Sequence, residues 1–165
     1  MIAWQDRPVE VANLLNPAFA AIVVHEAVRN YSRVAMIPMP VALTFLVPPI
    51  ALHAPSRARL PATTVAKMRP WLEDHPEARV GFAARARALR DFVREGILFA
   101  GQHRLISLSD DGGLVPRRKS ACRVPASWRP GSDPFECWRA TGFVARWFAS
   151  TAAAPTLFAF WGVKP

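Results

Sequence analysis

Residues 77–118, EARVGFAARARALRDFVREGILFAGQHRLISLSDDGGLVPRR, decide how the chain folds. At roughly 100° per residue, Phe82, Ala86, Leu89, Phe92, Val93, Gly96 and Ile97 share one side of a helix. Arg87, Arg90 and Arg94 gather within about 60° on the other side. One face is core and its opposite is cationic. After Gly101 the period falls to two, with Leu105, Ile106 and Leu108 before Asp110-Asp111-Gly112-Gly113, and Leu114 and Val115 beyond it. Asp-Gly and Gly-Gly supply the positive φ angles of a tight turn, so the stretch predicts an amphipathic helix followed by a hairpin, the outline of a winged helix. Arg85 projects beside Leu89 and Phe92 at the core margin, where its guanidinium needs a carboxylate or carbonyl partner and acts as a structural tie.

With 165 residues, 52% of them hydrophobic, and six Trp and ten Phe, the chain can fill one substantial core, which argues against a disordered adaptor. The net charge of +9 rests on eighteen Arg and three Lys, and points to nucleic acid, an acidic protein or an acidic surface as partner. Cys122 and Cys137 have no metal-type spacing and read as free thiols of a reducing compartment. No secretory leader opens the sequence. Nineteen uncharged residues run from Val34 to Leu52, but Pro38, Pro40, Pro48 and Pro49 would break a membrane-spanning helix, so no membrane segment is expected.

The remaining elements follow from caps and prolines. Asn16 caps a helix with Pro17 at its first position, and Ala20, Val23, Val24, Ala27, Val28 and Tyr31 share its face. Val41 to Val47 forms a short buried helix or strand ended by Pro48-Pro49. Thr63 or Thr64 caps a helix through Trp71, limited by Pro70. Residues 116–134 form a basic, Pro-punctuated loop. Asp133-Pro134-Phe135-Glu136 resembles a capping box for a helix to about Ser150, with Trp138, Thr141, Ala145 and Phe148 on one face. Pro155 then stops the helix, and Thr156 to Trp161 reads as a short apolar strand. The expected fold is α+β and mainly helical. It is a single domain with a helical part over 1–75, a winged-helix-like core over 77–118, the basic loop, and a C-terminal helix and strand over 133–165.

A search for chemistry is mostly negative. His25, His53, His75 and His103 lack HxxxH or HExxH spacing, and Glu73-Asp74 and Asp110-Asp111 fall at turns, where solvated charge is the ordinary state. Gly96 and Gly101 imitate a phosphate loop, but Gln102-His103 stands where Lys and Ser or Thr are required. No GxSxG elbow is present. The reading is therefore of no catalytic residues, no cofactor and no metal site. Arg87, Arg90, Arg94, Arg104, Arg117, Arg118 and Lys119 form a candidate stripe for a phosphate backbone or an acidic partner.

Several short signatures lie outside this periodicity. They are Asn13-Leu14-Leu15-Asn16-Pro17-Ala18, Val47-Pro48-Pro49-Ile50-Ala51-Leu52-His53 with Ser56-Arg57 and Leu60-Pro61, Gly142 with Arg146-Trp147-Phe148-Ala149, and Gly162-Val163-Lys164-Pro165. In that order the chain resembles the middle component of bacterial three-component ABC ATPase systems over nearly its whole length. It departs from the pattern at Ser56, where Thr is more usual, and at Lys164, where Arg is frequent. The resemblance implies a non-enzymatic cytoplasmic adaptor that couples an ABC ATPase of the chromosome-maintenance and recombination (SMC/RecF-like) type to an effector, in defence against phages or other foreign DNA. ABC ATPase and effector subunits are the implied partners, with DNA and a second copy of the chain as further candidates. Within the matched motifs, His53, Arg57, Arg146 and Trp147 are the candidate partner-interface residues. The alternatives are a stand-alone winged-helix DNA-binding regulator, or a subunit that completes an active site in trans through Arg57 or Arg146.

Overall fold

A computed structural model describes residues 16–117 and 125–164. Its organising element is α1, Pro17–Ala35, begun where the Asn16 carboxamide accepts the Ala18 N–H at 2.8 Å. Ala20, Val24, Ala27 and Val28 are almost completely buried, as are Ala21 and Val23 beside them. A helix apolar on so many sides must be covered on more than one. Two long helices cover it: α6, Arg90–Gln102, and α7, Asp133–Thr151.

Between α1 and α6 the chain runs through β1, Met39–Pro40, a 3-10 turn, Val41–Phe45, and the short helices α2, Val47–Ala51, and α3, Ala54–Ala58. Helix α4, Met68–Asp74, a 3-10 turn at Pro76–Arg79 and α5, Phe82–Ala88, follow. The hairpin of β2, Ile106–Leu108, and β3, Gly113–Pro116, comes next, and α8, Ala154–Phe160, follows α7. The architecture is α+β and mainly helical.

The hairpin turns where expected. Gly112 has φ 75°, and the Ser109 hydroxyl accepts the Gly113 N–H at 3.0 Å. The strand β1, which no sequence pattern announced, pairs antiparallel with β3 through Met39 and Leu114, so the sheet order is β1-β3-β2.

Four expectations need correction. The helix expected over the Phe82–Ile97 stretch is two, because Leu89, at φ −89° and ψ 2°, interrupts it; a one-residue break leaves the apolar period unchanged and is invisible to it. Pro48-Pro49 opens α2 instead of ending an element, since the first turn of a helix needs no N–H from those positions. Helix α4 starts after Lys67, downstream of Thr63 and Thr64, with Pro70 tolerated in its first turn. The strand expected over Thr156–Trp161 is helix α8: Pro155 starts it, and Leu157, Phe158 and Trp161 are buried at helical spacing.

Candidate partner-docking surfaces

Helix α7 carries two of the four interface candidates, Arg146 and Trp147, and Gly142 sets how closely it approaches α1. A Cβ on Gly142 would sit 2.9 Å from Glu26 Oε1 and 3.1 Å from the Asn30 amide nitrogen. The space it leaves holds a polar network. The buried Glu26 carboxylate accepts from Asn30 Nδ2 at 2.7 Å and from Arg29 Nη2 at 2.9 Å. Asn30 Oδ1 in turn accepts from Arg146 Nη1 at 2.8 Å and Arg33 Nη2 at 3.2 Å. Three guanidinium groups thus gather around a single carboxylate. Burial, and then the neighbouring Arg33, lower the Arg146 pKa, while Glu26 opposes them.

Arg146 also lines a groove of about 660 Å³ between α3 and α7, together with Arg57, Leu60, Pro61, Arg139 and Phe143. Two of the four interface candidates, Arg57 and Arg146, therefore share one surface. Arg57 is largely committed within the chain. Its Nη1 donates to the carbonyls of Ala51 at 3.2 Å and Leu52 at 3.0 Å, satisfying the end of α2, and its Nη2 donates to the Asp133 carboxylate. Asp133 was expected to cap α7; Ser132 holds the N-cap position, and Asp133 pairs with Arg57 across the groove instead. Cys137 Sγ accepts from Arg57 at 3.0 Å, but burial pushes its thiol up to about 11, which suppresses the nucleophilic thiolate.

Of the other two candidates, Trp147 lies inside and His53 is half-buried. Trp147 is fully buried, stands edge-on to Trp71 with centroids 5.2 Å apart, and donates its indole N–H to the Ala66 carbonyl at 2.6 Å. It presents no surface to a partner. His53 stands at the N-cap position of α3 and shares a 2.8 Å hydrogen bond between Nδ1 and Ser56 Oγ.

The basic stripe divides. Arg87, Arg90 and Arg94 are exposed and line a second groove, of about 420 Å³, with Lys164. Arg104 and Arg117 flank the hairpin base, where the Arg117 N–H donates to the carbonyl of Leu105. From Arg94 to the end of α6 is roughly 12 Å of helix, so the two sets are distinct patches. Arg118 and Lys119 lie outside the described residues. Arg85 has the structural tie expected of it, with Nη1 on the Val80 carbonyl at 2.8 Å and its guanidinium over the Phe82 ring.

The family model for the ABC-three component (ABC-3C) system Middle Component 3 matches residues 4–165. The chain belongs to that family. No curated protein and no solved structure matches it. As a Middle Component 3 protein it is one part of a multi-component system and has partner components. The signatures that resembled this family now have locations: Asn16-Pro17 starts α1, Pro48-Pro49 starts α2, Gly142 lets α1 and α7 meet, and Val163-Lys164 lines the second groove. Sequence reasoning missed Glu26, Arg29, Asn30 and Arg33 as a group. The available signal was the i, i+4 pair Glu26 and Asn30 flanking the apolar face of a helix whose Phe19 and Ile22 show it to be covered on more than one side, so that burial forces these polar groups to find partners. Among the described residues, no helix is long and apolar enough to cross a membrane, and no group of three or more His, Cys, Asp or Glu is placed to hold a metal ion.

Proposed function

We propose that this chain is a non-enzymatic, cytoplasmic adaptor that holds an ABC ATPase of the chromosome-maintenance and recombination type and an effector together in a system directed against phage or other foreign DNA. The observation that supports this best is that two charged grooves, the one lined by Arg146 and the one lined by Arg90, share no lining residue. Two separate surfaces on one domain are what a middle component needs to hold two neighbours at once. Arg146, with Arg29 and Arg33 beside it, offers an acidic partner residue more positive charge than Glu26 neutralises.

The test is co-purification of the tagged chain with the products of its neighbouring genes in high salt. A stable complex containing both an ATPase and an effector is the expected result, and an untagged second copy in the same complex would add dimerisation. Binding to neither product would overturn the reading.

A second reading, a stand-alone winged-helix DNA-binding regulator, has one observation in its favour: α6 runs directly into a hairpin whose sheet order is β1-β3-β2. The hairpin turn weighs against it. Asp110 and Asp111 are exposed there, so the wing would present carboxylates to a phosphate backbone. If DNA is the ligand, the purified chain binds duplex alone and loses affinity steeply as salt rises.

A further inference from the structure

The second groove joins two features that the sequence presents far apart. Its rim carries the basic face of α5 and α6, Arg87, Arg90 and Arg94, and the C-terminal Lys164. Ala42 and Phe45 of the 3-10 turn, Phe158 of α8 and Val163 supply its apolar lining. Among the described residues the only acidic partner within this cationic set is Asp91, 3.7 Å from Arg94 and itself exposed. Among the described residues the groove therefore combines an apolar floor with four cations and one exposed carboxylate paired to Arg94.

We propose that this groove docks an acidic amphipathic segment of another component of the same three-component system, with apolar side chains on the Phe45–Phe158 floor and carboxylates on the Arg87, Arg90, Arg94 and Lys164 rim. Charge complementarity identifies the occupant. A nucleic-acid backbone would satisfy the rim and leave the aromatic floor without a partner, whereas a neutral apolar segment would offer no carboxylate to the rim cations at the edge of a desolvated surface. Arg is suited to this rim because its planar fork pairs with carboxylates in a bidentate manner. The inference rests on the adaptor reading and deepens it by naming the surface and the chemistry of its occupant.

The experiment uses the full chain with the ATPase and effector encoded beside it. Affinity for each is measured by titration for wild type, for the Arg90→Glu/Arg94→Glu variant, for Lys164→Glu and for the conservative Arg90→Lys/Arg94→Lys variant. Because these side chains are exposed, each variant should keep the wild-type thermal melt. Charge reversal is expected to weaken binding of one component roughly tenfold or more, while the Lys variant, which keeps the charge and loses the bidentate fork, is expected to lose less than the reversal. A photo-crosslinking residue at Phe45 should capture a segment of that component with carboxylates flanking apolar residues. Changing those carboxylates to Lys should restore binding to the charge-reversed variant. Unchanged affinity after both reversals, or a captured segment without carboxylates, would overturn the groove assignment and leave the adaptor reading standing. Duplex DNA binding abolished by the same reversals would also overturn it, in favour of a nucleic-acid surface. Failure of the wild-type chain to bind either component would sink both.

Discussion

His25 points from α1 into the interior and is only 4% exposed. Burial lowers its pKa, Glu26 partly opposes this, and Arg29 adds to it. His53 shifts the same way, through burial and then through Arg85, Arg57 and Arg59. The folded-state pKa of each thus lies below the ~6.5 of an unfolded histidine. As pH falls below about 6.5 the unfolded chain binds protons first, so the stability held above that pH is progressively lost. Urea midpoints are expected to drop between pH 8 and pH 5.5, a window that stays above the range where Glu136, lowered mainly by its bond from Arg139, titrates. His25→Gln should flatten the slope; an unchanged slope would mean that His25 does not couple to folding.

At the scale of elements, the contact of α1 with α6 turns on one atom. A Cβ on Gly96 would lie 2.8 Å from the Ala20 carbonyl carbon, and backbone cannot give way as a side chain does. Gly96→Ala should cost roughly 1–3 kcal/mol. Gly101, in the last turn of the same helix, has nothing within 4 Å, so Gly101→Ala should stabilise by about 0.5–1 kcal/mol. Opposite shifts in denaturation midpoint check the pair, and shifts of the same sign would refute the packing argument. Elements with a local signature were readable in the sequence: Asn16-Pro17 announces α1, and Asp-Gly-Gly announces the hairpin. Those set by distant partners were not. Met39–Pro40 becomes a strand only because Leu114 and Gly113 come to lie beside it, and Pro155 reads equally well as the end of one helix or the start of the next. Of the candidate residues, the exposure of Arg87, Arg90 and Arg94 was readable from helical spacing, whereas the groove that Arg146 and Arg57 both line depends on how α3 and α7 pack and had no local signature. Trp147 was ambiguous, because an indole in a motif looks the same whether it faces a partner or, as here, the Ala66 carbonyl.

For the whole molecule, the positive charge is divided among the Arg146 groove, the α5–α6 groove and the hairpin base, with acidic residues at the hairpin turn. That division suits several modest contacts better than one continuous track. The core has the opposite organisation, because α6 and α7 clasp one helix from two sides. Removing residues 133–165 should strip α1 of one whole cover and abolish cooperative thermal unfolding; a truncated chain that still melts sharply would show α1 and α6 to be sufficient. The same clasp has a consequence during synthesis. Helix α1 is translated first, while the end of α7 lies 116 residues after the end of α1 (151 − 35). At 5–20 residues per second, a ribosome leaves the side of α1 that α7 covers exposed for roughly 6–23 s, which makes the nascent chain a natural client for chaperones before that helix arrives to replace them.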